Sequence, residues 1–384
     1  MDASETLIDA VALDRGAADV LLANLATRLR AERRWHELLE VQLSQARLAH
    51  GLDVDATSSA GAEPATRHAL ENEYAAACEE AGRGLLADGA WRDAWFYLNT
   101  AGKQAIMREA LAGATPEEEQ ADELIEIALH EGAAPAVGLR WMLERYGTCN
   151  SVTNLEGVGP HLPVDDLVEC AQTLADHLYT ELLASVRDHI ARQEGNPPNE
   201  APLPELLDGR PWLFEHEASH VDASHLAATV RMARVLTGAD AIETAWRLAD
   251  YGARLHPSLH YPDAPPFDEL YPAHARFFAA QLGRDVEEAV AYFRRHAEQT
   301  DAESEGLAPV ETLLVLLART GRHQEALREH GRLVPEGVPL SPYAPTLLDL
   351  ARESGDWAGY ETITRQRCDV VGFARGRAVQ RGEG

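Results

Sequence analysis

The chain has 384 residues, of which 63 are acidic and 34 basic, for a formal net charge of -29. A field of that sign repels phosphate backbones and anionic lipid surfaces, so neither nucleic acid nor membrane is an expected partner. No apolar run approaches the roughly 20 residues that span a bilayer, and the four cysteines form no C-x-x-C pair, which suits a reducing compartment.

Ala, Leu, Glu and Arg dominate, all good helix formers, and no alternating strand pattern appears. The fold class expected is all-α. The acidic start Met1-Asp-Ala-Ser-Glu lacks the charged-then-apolar order of a leader, so a cytoplasmic protein is expected. Residues 1–15 read as a short lead-in. Helices follow near 17–32 and 35–49, then a linker by composition over 51–66. A helical hairpin spans 67–88 and 91–112, turning at Asp88-Gly89. Thr115-Pro116 before three glutamates reads as a helix start, with a helix to about 130. Its partner covers 134–146 and stops at Gly147. Residues 148–163, rich in Asn, Thr and Gly, read as an irregular loop.

A long helix is expected from Pro163 to about 193. The stretch 195–204 (G-N-P-P-N-E-A-P-L-P) is the clearest break in the chain. It suggests an N-terminal helical half at 1–194, a Pro-rich connector at 195–210, a C-terminal helical half at 211–373 and a flexible tail at 374–384. Beyond it come helices near 226–236 and 241–255, a second Pro-rich loop at 256–268, and helices near 272–282 and 286–298. That loop is long enough to reach over a face of the structure.

The hairpin at 78–101 resembles a tetratricopeptide repeat. Ala81, Gly82, Leu85, Gly89, Trp91, Ala94, Leu98 and Ala101 stand at the spacings of that motif. Weaker copies run through Leu313, Leu314, Leu317, Gly321, His323 and Ala326, and through Leu347, Leu348, Ala351, Gly355, Trp357 and Tyr360. Leu314 and Leu348 stand one 34-residue repeat apart. A looser copy holds Leu25, Ala26, Leu29, Trp35 and Leu38. The resemblance implies stacked antiparallel helical hairpins forming an α-solenoid. It also implies a non-catalytic scaffold that binds a protein or peptide on its concave surface. Arg83, Arg92, Asp222 and His225 are the candidate binding residues.

One string carries a different chemistry. His216-Glu217-Ala-Ser-His220 matches H-E-x-x-H, the pattern that on a helix puts two imidazoles on one face around zinc with the glutamate as general base. His225 or Glu243 stands as a third ligand in that alternative, a zinc-dependent hydrolase. Against it, Pro211 lies five residues upstream and Asp222 reads as the cap of the following helix. A helix starting at 223 leaves His216 and His220 in a connector, without the i,i+4 geometry. No cofactor is expected on the leading reading. Lys103 is the only lysine, and no Gly-rich phosphate loop surrounds it.

Overall fold

The computed structural model describes residues 3–13, 16–54, 63–195, 201–299 and 306–382. Among them there is no strand, only an isolated bridge between Pro262 and Glu269. The chain is all-α, and most helices pack on their neighbours in sequence order. It divides into two compact units, Met1–Trp141 and Met142–Gly384. Parts of the expected linkers at 51–66 and 195–204, and the last two residues of the tail, lie outside the described residues.

In the first unit, helices Ala18–Ala31, Trp35–Ala49, Pro64–Ala87 and Trp91–Thr100 each pack on the next. The lead-in is also helical, at Ala3–Leu13, with Leu7 buried. Small residues set the closest approaches. A methyl group built on Gly82 would stand 2.7 Å from Cγ of Leu98, and one on Gly84 would stand 2.3 Å from the Trp35 indole. Gly89 ends Pro64–Ala87 at φ +78, a left-handed conformation that costs glycine nothing. The stretch expected as one helix over 91–112 is two, Trp91–Thr100 and Gln104–Gly113, broken at Ala101-Gly102.

The helix start expected at Thr115 is not used. Residues 114–120 are coil and turn, and Ala121–Ile125 opens the helix, continued by a π-helical turn at Glu126–His130. Burial explains the choice. Ala121, Leu124, Ile125, Ile127, Ala128 and Leu129 are all buried, whereas Glu117, Glu118 and Glu119 offer nothing to pack. A local cap signal does not propagate a helix without an apolar face.

Gly147 breaks the helix Pro135–Val158, with φ 75 and ψ 174. The loop expected at 148–163 is instead helical to Val158 and a 3-10 turn at Gly159–His161. Its polar residues bond backwards rather than outwards. Asn150, Ser151, Thr153 and Asn154 donate to the carbonyls of Tyr146, Gly147, Cys149 and Asn150 at 2.9 to 3.0 Å. Such bonds to the preceding turn let loop-forming residues stay helical, and Val152 and Leu155 supply the buried face.

The second unit is built on Val164–Glu194. Ala171, Leu174, Ala175, Leu178, Leu182, Val186 and Ile190 make one buried stripe at helical spacing. Against it lie Leu203–Leu207, Ala223–Met232 and Ala239–Ala253. Then follow Leu270–Gln281, Val286–Gln299, Ala308–Arg319, His323–Leu333, Leu347–Ser354, Trp357–Gln366 and Val370–Gly382. One apolar cluster runs from Ala171 to Tyr360. Each large side chain in it contributes about 1.5–3 kcal/mol by leaving water. The stretch from 374 to Gly382, expected as a tail, belongs to the last helix, where Gly376 lies against the Tyr360 ring and Tyr360 Oη donates to Gly372 O at 2.7 Å.

Candidate functional site

The H-E-x-x-H string does not lie on an α-helix. Pro211–Glu217 is a 3-10 segment interrupted at Glu215 and His216, and His216 and Glu217 have φ of 57 and 59. The next helix begins at Ala223, where the Asp222 carboxylate accepts the backbone N–H of Ser224 at 2.8 Å and of His225 at 3.3 Å. The Ser224 hydroxyl also donates to it at 2.5 Å, and that bond first, then the two backbone ones, holds its carboxyl below the ordinary range against the opposing effect of burial. Asp222 is thus an N-cap, and His225 lies in the first turn it caps.

The string's side chains have other partners. Glu217 lies 3.4 Å from Nδ1 of His256. His220 is tied to Tyr251, whose hydroxyl accepts the His220 backbone N–H at 3.0 Å and stands 2.8 Å from His220 Nδ1. Nε2 of His220 stands 2.9 Å from Nδ1 of His189. The three side chains form one hydrogen-bonded chain, from the Tyr251 hydroxyl through His220 to His189, whose donor and acceptor roles are set by the imidazole tautomers. Burial, then the neighbouring His189, pushes the His220 pKa down to about 4, and burial raises that of Tyr251 to about 12. Glu243, the other third-ligand candidate, pairs with Arg247 at 3.2 Å and Arg284 at 2.7 Å. Among the described residues, no three His, Cys, Asp or Glu side chains are grouped to hold a metal ion.

Arg83 and Arg92, in the first unit, are exposed and compensated. Arg83 pairs with Glu79 at 2.9 Å, and Glu79 also takes Lys103 at 3.0 Å. Arg92 reaches Glu131 at 2.8 Å and Glu123 at 3.6 Å. They lie apart in sequence from Asp222 and His225, which belong to the second unit.

Residues the sequence did not single out line a cavity of about 270 Å³ in the second unit. Met232, Val235, Phe267, Phe277 and Val315 form its apolar wall, and Arg231, Arg234, Arg319 and Glu311 bring charge to it. Neither a family model nor a curated protein matches this chain. The chemistry of the cavity therefore rests on its own geometry.

Arg231 is matched by Asp263, Nε to Oδ2 at 3.3 Å, and donates to Pro262 O at 2.9 Å. Arg319 is spent on carbonyls. Its Nη1 donates to Arg234 O and Leu236 O at 3.0 and 2.8 Å and to Gln281 Oε1 at 3.0 Å. These bonds close the 3-10 turn Ala233–Val235. No carboxylate neutralises Arg319 among the described residues, and burial brings its pKa down to about 10.

Arg234 lies 5.0 Å above the Phe267 ring, and its Nε donates to Arg231 O at 3.0 Å. Its pKa is lowered by burial, which Asp263 opposes and Arg231, the smallest of the three causes, reinforces. Glu311 is fixed by accepting the Ser341 N–H at 2.7 Å. A wider depression beside Arg319 is lined by Asp165, Glu169, Thr237 and Tyr343.

The legible trace of this site was slight. Arg231 and Arg234 stand one turn apart between apolar residues in V-R-M-A-R-V, so one face of that segment carries both charges. Phe267 sits in the second Pro-rich loop, expected to reach over a face.

Proposed function

We propose that the chain is a non-catalytic scaffold of tetratricopeptide-like hairpins that binds a protein or peptide. The observation that carries this reading is the packing of helices on their sequence neighbours within each unit, the arrangement by which helical repeats present a continuous surface to extended ligands. The outward face of Trp91–Thr100 supports it. Ala94, Trp95 and Leu98 on that helix are buried, yet Phe96 is 63% exposed. An aromatic ring left in water, edge-on to Tyr97 at 5.3 Å, has the composition of a binding hot spot. No described helix is long and apolar enough to cross a membrane.

The test is affinity capture from native lysate by the full chain and by Phe96→Glu. A partner retained by the native chain and lost by the variant supports the reading. Capture of nothing above background, or equal capture by both, overturns it for this face.

A further inference from the structure

We propose that the cavity between Arg234 and Phe267 binds a small monocarboxylate with an apolar body. This goes beyond the scaffold reading and does not depend on it. The two terminal nitrogens of Arg234 carry four N–H donors. Among the described residues none of them bonds to the protein, the only Arg234 donor so used being Nε. The guanidinium has no ion pair there either, since Asp263 stands with Arg231. It is nevertheless held in place by the Phe267 ring beneath it and the Arg231 carbonyl beside it. A half-buried guanidinium with a fixed plane and an open fork is matched by a planar carboxylate accepting two parallel bonds.

Charge points the same way. In a chain of net charge -29, the cavity lining carries three arginines and one glutamate, and with Arg231 matched by Asp263 two arginines stand against that glutamate. Among the described residues Arg319 adds a second positive charge with no carboxylate partner, because its acceptors are neutral oxygens. The field inside the cavity therefore opposes that of the whole molecule, and an anion is favoured in this place.

Shape and polarity narrow the class. The volume, about 270 Å³, lies just below the roughly 300–1,000 Å³ of common ligand pockets. It admits a single ring or short chain with its charged end. Phe267, Phe277, Met232, Val235 and Val315 offer that body an apolar wall. A dianionic phosphate would bring more charge into this wall than one open fork satisfies, and desolvating it would cost more than the contact returns. A monoanion on an apolar body meets both halves of the lining.

The probe is 3-phenylpropionate, titrated calorimetrically into the full chain beside 3-phenylpropanol and 3-phenylpropylamine, which share the body without the negative charge. A dipeptide ending in phenylalanine, blocked at its amino end, distinguishes a chain terminus from a free acid. Saturable binding of the carboxylate, absent with the alcohol and amine, is expected. Arg234→Gln should weaken it at least about tenfold, the usual loss for one charge-assisted pair. Circular dichroism checks that the variant folds. Thr312→Trp, on the partly exposed rim, blocks entry with the arginines intact and should also abolish binding. Tighter binding of the blocked dipeptide assigns the carboxylate to a peptide end and overturns the free-acid proposal. No saturation up to about 10 mM, equal binding of the alcohol, or full binding by both variants also overturns it.

Discussion

His220 is bonded twice to one oxygen, its backbone N–H and its Nδ1 lying 3.0 and 2.8 Å from the hydroxyl of Tyr251. The ring of Tyr251 is fully buried, so no water replaces that oxygen if it is removed. Tyr251→Phe keeps the ring and strands a backbone donor and an imidazole nitrogen. The expected loss is about 1–3 kcal/mol of stability, read as a lower urea midpoint by circular dichroism. An unchanged midpoint would mean that the connector 218–222 is not held by this pair.

Acid should destabilise the fold in a defined window. Burial, the largest cause in each case, brings His220 and His330 down to about 4 and His274 to about 3. Arg367 adds to it at His330 and Arg234 at His274. In the unfolded chain these imidazoles protonate near 6.5. Their neutral, buried state therefore contributes fully above about pH 6.5. The contribution falls as the unfolded chain gains protons, and the fall ends near the folded values. Unfolding should take up about half a proton per histidine at pH 6.5, rising towards one near pH 5, where each proton is worth about 1.4 kcal/mol per pH unit. His274→Phe keeps a ring stacked on Phe267, now 4.1 Å from the imidazole, and should remove one proton from the slope. Urea midpoints at three pH values decide it.

Helix ends set by single residues were legible, and ends set by packing were not. Gly89 and Gly147 adopt positive φ where the sequence places a stop, because few other residues take that conformation cheaply. Asp222 caps the helix that the sequence assigns to it. Thr115 has the same local chemistry and caps nothing, since the apolar face begins only at Ala121. The 150–154 stretch misreads as a loop because its polar side chains return to their own helix. The arginine-lined cavity was hidden for another reason. Its wall joins Leu167, Arg234, Phe267 and Val315, and no local spacing records a meeting of four distant segments.

The first unit offers a packing test. Gly84 faces Trp35, whose Nε1 donates to Asp88 Oδ2 at 2.7 Å. A methyl at Gly84 would lie 2.3 Å from the indole, and the hydrogen bond keeps the ring from turning aside. Gly84→Ala should cost about 1–3 kcal/mol despite the better helix propensity of alanine. Combined with Trp35→Leu, the second change should cost less than it does alone, because the clash is gone. Thermal unfolding of the two single variants and the double measures the coupling. Strict additivity would show that the two residues do not contact.

Arg367 does for one helix what Arg319 does for the Ala233–Val235 turn. Its Nη2 reaches the carbonyls of His330, Gly331 and Val334 at 2.9, 3.1 and 2.8 Å, three oxygens sharing two hydrogens at the end of His323–Leu333. The positive charge also suits the negative pole of that helix. Burial lowers the pKa of Arg367, with Glu336 and Asp369 opposing, so the charge is retained at neutral pH. Arg367→Gln should destabilise by about 1–3 kcal/mol, and Arg367→Lys by less, since the ammonium keeps the charge but not the fork. A second readout separates charge from packing. Arg367 is the lesser of the two causes that keep the His330 pKa low, after burial. In Arg367→Gln the imidazole should titrate higher than in the native chain yet still below 6.5, because the burial is unchanged. In Arg367→Lys it should stay low. An NMR titration of His330 that does not move in the Gln variant would show that the guanidinium acts on the helix end through its hydrogen bonds alone.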